Sequence, residues 1–209
     1  MLNKVLIVAN DIISILLYAD DMILCANTES DLQSMLTEMH NWTTRWRVKL
    51  NINKSKTMHF HPVRQIRTRS NFCFGLDQLE IVDSYKYLGI FLDETLNFNK
   101  CSHILAESAS RALGGVINKI KAIRDCGYTT FTKLFDTGVL SILNFGAEVW
   151  GFGKHQKCDV VINKAMRYFL GVHKYVPTAA LHGDMAWLSL KYRRYIVMLK
   201  FIPCIPLVL

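Results

Sequence analysis

Asp20 and Asp21 are adjacent carboxylates between two apolar, β-prone runs in Ile13-Ser-Ile-Leu-Leu-Tyr-Ala-Asp-Asp-Met-Ile-Leu-Cys-Ala-Asn27. Paired carboxylates suit Mg²⁺, a hard cation usually held by one or two acids plus substrate phosphates. Two such ions can clamp the attacking and leaving oxygens of an in-line phosphoryl displacement. An Asp-Asp pair is also an ordinary turn, so the pair alone does not decide. The polar centre between apolar arms predicts a hairpin over 12–26, with both acids at or beside its turn. In such apolar surroundings two adjacent acids call for a neutralising cation.

The flanking sequence must position that hairpin. Thr28 stands three residues before Asp31, a helix-capping pattern, and Leu32, Met35, Leu36, Met39, Trp42 and Trp46 repeat at helical spacing. The stripe predicts a helix packed beneath a sheet, with both tryptophans in the core rather than offered to bases. Leu50–Phe60 reads as a polar turn running into an alternating strand. Arg64, Arg67 and Arg69 mark an exposed basic loop, and 79–92 a strand pair around Tyr85-Lys86-Tyr87-Leu88-Gly89. Beyond residue 95 the texture turns helical, with helices expected near 100–124, 129–145, 156–171 and 185–200. Gly114-Gly115 weakens the first of these or admits another backbone, and Pro177 and Gly183 punctuate the last loop.

Composition bounds the function classes. Half of the 209 residues are hydrophobic and a fifth charged, which describes a globular chain with a real core. The net charge of +8 favours polyanions as partners. Six cysteines without a CxxC pair read as reduced thiols of an intracellular protein. His155 with Cys158, and His59 with His61, have ligand-like spacing but no convincing second half for a zinc site. The apolar runs Leu2–Ala9 and Ile12–Tyr18 are too short to be a signal or to span a bilayer. Phe201–Leu209 is broken by two prolines and reads as a truncated end rather than an anchor.

Taken in order, these motifs resemble the non-LTR (LINE-type) retrotransposon reverse transcriptases. Four features match: the Tyr18-Ala19-Asp20-Asp21 hairpin, the helix ending WTTRWRVKLN, the motif D segment Asn51-Ile52-Asn53-Lys54-Ser55-Lys56, and Tyr87-Leu88-Gly89 of the primer grip. Phe145-Gly146-Ala147-Glu148-Val149-Trp150 is a weaker match in the thumb. Group II intron maturases share the acidic motif, but the later segments lean to the non-LTR class. Nothing resembles a ribonuclease H domain.

The resemblance implies an α+β fold: a partial polymerase palm, with an antiparallel sheet, acidic hairpin and packing helix over 1–95. An all-helical thumb over 96–150 and a helical connector over 151–209 follow. It implies Asp20 and Asp21 as metal ligands, Tyr18 near the primer terminus, and Lys54 as proton donor to pyrophosphate. A lysine there supplies both charge and a proton, although it also reads as a solvated turn lysine. Tyr87, Leu88 and Gly89 would grip the primer, the glycine letting the backbone approach closely. Lys119, Lys121 and Arg124 would either track the phosphates of the duplex or form an exposed helix face; the same holds for Arg64, Arg67 and Arg69.

The partners implied are an RNA template, a DNA primer and dNTPs, with no membrane, and two Mg²⁺ ions in the intact family. The expected location is nuclear or cytoplasmic. The family's third metal ligand, from motif A, stands well upstream of the acidic hairpin, and only 17 residues precede Tyr18. These residues therefore describe half an active site, with weak or absent Mg²⁺ binding, an exposed apolar sheet edge, and no catalysis by the isolated chain. The alternatives are a non-catalytic basic nucleic-acid-binding remnant and a pseudogene product without a role.

Overall fold

A computed structural model describes residues 6–8, 11–64, 70–124 and 126–201. Arg67, Arg69, Cys204 and most of the two terminal apolar stretches lie outside the described residues. The chain divides into two compact units, residues 1–85 with 93–96, and residues 86–92 with 97–209.

The first unit is mixed α and β. Strands β1 (Leu6–Val8) and β2 (Asp11–Ile13) pair antiparallel, as do β3 (Ile15–Tyr18) and β4 (Asp21–Leu24). Helix α1 (Glu29–Trp46) begins where the Thr28 side chain accepts a hydrogen bond from the Asp31 N–H at 3.1 Å, and Glu29 and Asp31 in its first turn complement the helix dipole. Strands β5 (Lys56–Thr57), β6 (Phe72–Phe74) and β7 (Asp77–Ile81) form a sheet in the order β5-β7-β6. α1 packs on β6, and the core joins Leu36 to Phe72, Phe74 and Leu79, with Leu24, Leu32, Met39 and Ile52 against them. Gln33 on α1 treats β6 as a strand neighbour would: its amide donates to the Cys73 carbonyl and accepts from the Cys73 N–H, both at 2.9 Å.

The structure departs from expectation in three places. The strands form several small sheets rather than one antiparallel sheet, and β5 pairs with β7 in parallel. The strand expected to run on to Phe60 pairs only over Lys56–Thr57. Lys56 stands opposite Glu80 and is ion-paired to it, so this pairing is fixed by residues distant in sequence. The helical stripe is buried at Met35 and Leu36 but not at its end, where Trp42 and Trp46 are exposed.

The β8 (Ser84–Tyr87) and β9 (Ile90–Asp93) strands form a further hairpin. The second unit is helical: α2 (Asn99–Ile123), α3 (Tyr128–Phe135), a π-helical turn (Asp136–Leu140), α4 (Ser141–Leu143), α5 (Ala147–Trp150), α6 (Gln156–Leu170), α7 (Thr178–Met185) and α8 (Leu190–Phe201). Its core holds Ala109 and Leu113 of α2, Phe131 and Phe135 of α3, Ile162 and Met166 of α6, with Trp187 stacked on both phenylalanines.

Gly114 and Gly115 neither break α2 nor admit a backbone: a Cβ at either would meet nothing within 4 Å. The segment expected as a loop around Pro177 and Gly183 is α7. Pro177 caps its start, where a missing N–H is harmless, and buried Leu181 and Met185 hold it. Asn144 ends the helical run near its expected limit, and Gly146, in left-handed conformation, starts the short α5.

Candidate active site

The acidic hairpin closes through a two-residue loop. Tyr18 pairs with Asp21 across β3 and β4, leaving Ala19-Asp20 as the connection, and the ladder extends to the Cys25 N–H on the Ser14 carbonyl at 2.9 Å. Ala19 adopts φ 52, a left-handed conformation that costs a residue with a Cβ on the order of 1–2 kcal/mol. Positive φ in a two-residue loop matches the twist of the flanking strands, which is why such loops tolerate it.

Tyr18, Asp20 and Asp21 are exposed, and neither carboxylate has a hydrogen-bond or ion-pair partner among the described residues. The neutralising cation expected for buried acids is therefore not demanded by the fold. Two free carboxylates on a tight turn fit a hard cation whose other positions go to phosphate and water. Among the described residues no group of three or more His, Cys, Asp or Glu is placed to hold a metal.

Lys54 ends a turn in which its N–H reaches the Asn51 carbonyl and Asn51 Oδ1 at 3.1 and 3.3 Å. Its carbonyl accepts the Tyr85 hydroxyl at 2.8 Å, while its side chain is exposed and bonded neither to Asp20 nor to Asp21. Tyr85 was invisible as a positioning residue because its partner lies 31 residues away.

Leu88 and Gly89 form the two-residue loop of the β8–β9 hairpin, with φ 46 and 86. Two consecutive positive φ values define the type I′ family, which glycine suits and leucine does not. A Cβ at Gly89 would stand 2.7 Å from Cε1 of Phe145. The close approach that needs glycine is thus made to an aromatic ring of the same unit. Lys119, Lys121 and Arg124 are exposed at the end of α2, where cations complement the helix dipole. Arg64 is also exposed.

The second unit holds a buried polar cluster that no local pattern announced. Arg194 is 2% exposed and its guanidinium lies over the Trp150 ring, 5.0 Å from the centroid. Trp150 donates to the Phe145 carbonyl at 2.8 Å, and its own carbonyl bonds to Nε2 of His155 at 3.1 Å. Cys158 donates weakly to the Ser102 carbonyl at 3.5 Å, and burial pushes its thiol up to about 11. Burial also lowers the His155 pKa and raises that of Asp159, the latter partly offset by the Arg194 charge. His59 and His61 sit outside any strand, their rings 5.4 Å apart, with Nε2 of His61 3.6 Å from Glu94. A recess of about 390 Å³ lined by Asn71 and Gln78–Ile81 contains none of the candidate catalytic residues. No helix among the described residues is long and apolar enough to cross a membrane.

Residues 1–92 match the family model described as reverse transcriptase (RNA-dependent DNA polymerase). The chain is 30% identical over 141 residues to a putative uncharacterized transposon-derived protein of Caenorhabditis elegans, covering 66% of this chain and 48% of that protein. It is 25% identical over 184 residues to a probable RNA-directed DNA polymerase from transposon BS of Drosophila melanogaster, covering 80% of this chain and 20% of the relative. It is 24% identical over 192 residues to the RNA-directed DNA polymerase from mobile element jockey of Drosophila funebris, covering 88% and 21%. The chain thus spans between a fifth and a half of the length of these relatives. No solved structure matches it significantly.

Proposed function

Since this chain belongs, through residues 1–92, with the non-LTR retrotransposon reverse transcriptases, we propose that it forms the later palm and the thumb of an RNA-directed DNA polymerase. The observation that carries this reading is the acidic hairpin: two adjacent exposed carboxylates, one in its two-residue loop and one at the start of β4, unpartnered among the described residues and inside the matched region. Residues 1–95 would be palm, 96–150 thumb and 151–209 a helical connector.

In this reading Asp20 and Asp21 hold Mg²⁺, which supplies charge neutralisation to the attacking and leaving oxygens of nucleotidyl transfer. Tyr18, paired across from Asp21, orients the primer end. Lys54, with its backbone held by Asn51 and Tyr85 and its ammonium free, donates a proton toward departing pyrophosphate. The turn at Leu88-Gly89 contacts the primer, and Lys119, Lys121 and Arg124 contact the phosphates of the template–primer duplex. Each carboxylate aligns charge rather than forming a bond, so activity depends on the full ligand set being in place. The 209 residues alone, with two carboxylates, are proposed to be inert.

Primer extension with template, primer, dNTPs and Mg²⁺ tests this. No incorporation is expected from the 209 residues alone, whereas Mg²⁺-dependent incorporation lost on Asp20→Ala would refute the proposed inertness. A second reading, a basic module that holds nucleic acid without chemistry, draws on the +8 charge. Its affinity for a duplex should fall steeply with salt, and an absence of binding at low salt would remove it.

A further inference from the structure

Trp42 and Trp46 stand one helical turn apart at the end of α1 and are 49% and 62% exposed. Four-residue spacing sets their side chains side by side on the helix surface. The helix then closes on Arg47 at φ 54, whose N–H returns to the Thr43 and Thr44 carbonyls, and Val48 donates to the Thr43 carbonyl at 2.9 Å. Arg45, Arg47 and Lys49 alternate with Trp46 and Val48. All five are exposed, and none of the three cations is ion-paired among the described residues.

The charge along this stretch of sequence is one-sided. Between Glu38 and Asp77 there is no acidic residue, but there are eight basic ones: Arg45, Arg47, Lys49, Lys54, Lys56, Arg64, Arg67 and Arg69. That segment equals the whole net charge of +8, since the other basic residues are balanced by the 17 acidic ones. The exposed arms of the acidic hairpin, Ile15–Tyr18 and Met22, hold no cation, so their exposure alone names no partner. The tryptophan surface differs because flat aromatic rings and unpaired cations are interleaved. That combination complements a chain of exposed bases on a phosphate backbone.

We propose that Trp42–Lys49 is a docking surface for a single-stranded polynucleotide, its bases stacking on Trp42 and Trp46 and its phosphates meeting Arg45, Arg47 and Lys49. This deepens the nucleic-acid partnership proposed above and does not require catalysis at Asp20 and Asp21. The other two tryptophans, Trp150 and Trp187, are 1% and 4% exposed, so quenching of intrinsic fluorescence by an added strand reports on the exposed pair.

The test titrates the 209-residue chain with an oligouridylate of about 20 nucleotides while following tryptophan fluorescence and salt dependence. Quenching is expected. Trp42→Leu with Trp46→Leu, read by anisotropy of a labelled strand, should weaken binding about tenfold or more, and phenylalanine at both positions should restore most of it. Arg45→Gln with Lys49→Gln should reduce the salt slope by about 1–2. Equal affinity of the leucine variant and the parent would overturn the proposal while leaving the polymerase reading intact. So would an apparent mass that rises with concentration and falls back in the leucine variant, without quenching by the strand, because the surface would then serve a second copy.

Discussion

The Tyr85 hydroxyl donates to the Lys54 carbonyl at 2.8 Å, tying the turn that carries the candidate proton donor to the strand that leads into Tyr87-Leu88-Gly89. The bond fixes the backbone of Lys54 and leaves its ammonium free. Tyr85→Phe removes only the hydroxyl, so a loss of about 0.5–1.5 kcal/mol of stability is expected in urea unfolding. Amide exchange at 51–55 should quicken in the variant. Unchanged protection there would show that the turn is held by Asn51 alone.

Gly89→Ala should be more damaging than a surface change. The new Cβ meets the Phe145 ring, and alanine must adopt φ near 86. The expected loss is about 1–3 kcal/mol, measured by denaturant unfolding, with the ring's ability to swing aside setting the lower end. A Phe145→Ala background should recover the steric part but not the conformational part. Full recovery there would place the whole effect in the clash.

His155 gives the second unit a dependence on acid. Its Nε2 is bonded to the Trp150 carbonyl and must carry the proton, while Nδ1 is buried without a hydrogen-bond partner among the described residues. Burial disfavours the imidazolium, and a proton on Nδ1 also adds a second cation beside Arg194, while the Trp150 carbonyl and the Asp159 charge oppose the shift. The folded pKa lies below the usual 6.5, the unfolded chain takes up more protons, and stability falls as pH drops through and below 6.5. Asp159 acts with the opposite sign: its raised pKa means that stability declines as pH rises from 3.8 through the folded value. Guanidinium unfolding from about pH 7.5 to about pH 5.5 should show a steeper loss in the parent than in His155→Gln. Parallel slopes would remove His155 as the cause.

The hairpin arms are an association hazard. Leu17 is 69% exposed, and Ile15, Leu16, Tyr18 and Met22 are also open to solvent. An apolar two-stranded sheet with open outer edges can template association, and a lysine on such a strand blunts this. Leu17→Lys should raise the concentration at which the chain stays monomeric, followed by sedimentation, with little change in unfolding free energy. A large destabilisation instead would mean that Leu17 is part of a core.

The acidic hairpin was readable because every determinant is local: two apolar arms, a polar centre, and a loop of two residues. The long α2 was readable for the same reason, since Ala109 and Leu113 lie on its own periodic face. Trp42 and Trp46 were misplaced because periodicity identifies a stripe without saying how far along it a partner extends. The parallel pairing of β5 with β7 rests on Lys56 and Glu80, 24 residues apart, and no short window contains it. Arg194 looks like a solvated cation until Trp150, far away in sequence, is folded beneath it. α7 was missed because Pro177 reads as a breaker, although it sits where a helix begins.

Asp20 and Asp21 are proposed to form one metal-binding hairpin. Mn²⁺ broadening of amide NMR signals tests it without requiring turnover. Titration of the 209-residue chain should broaden residues 18–22 first, and Asp20→Asn with Asp21→Asn should abolish that selectivity. Broadening that is uniform, centred elsewhere, or unchanged in the double variant would contradict the account.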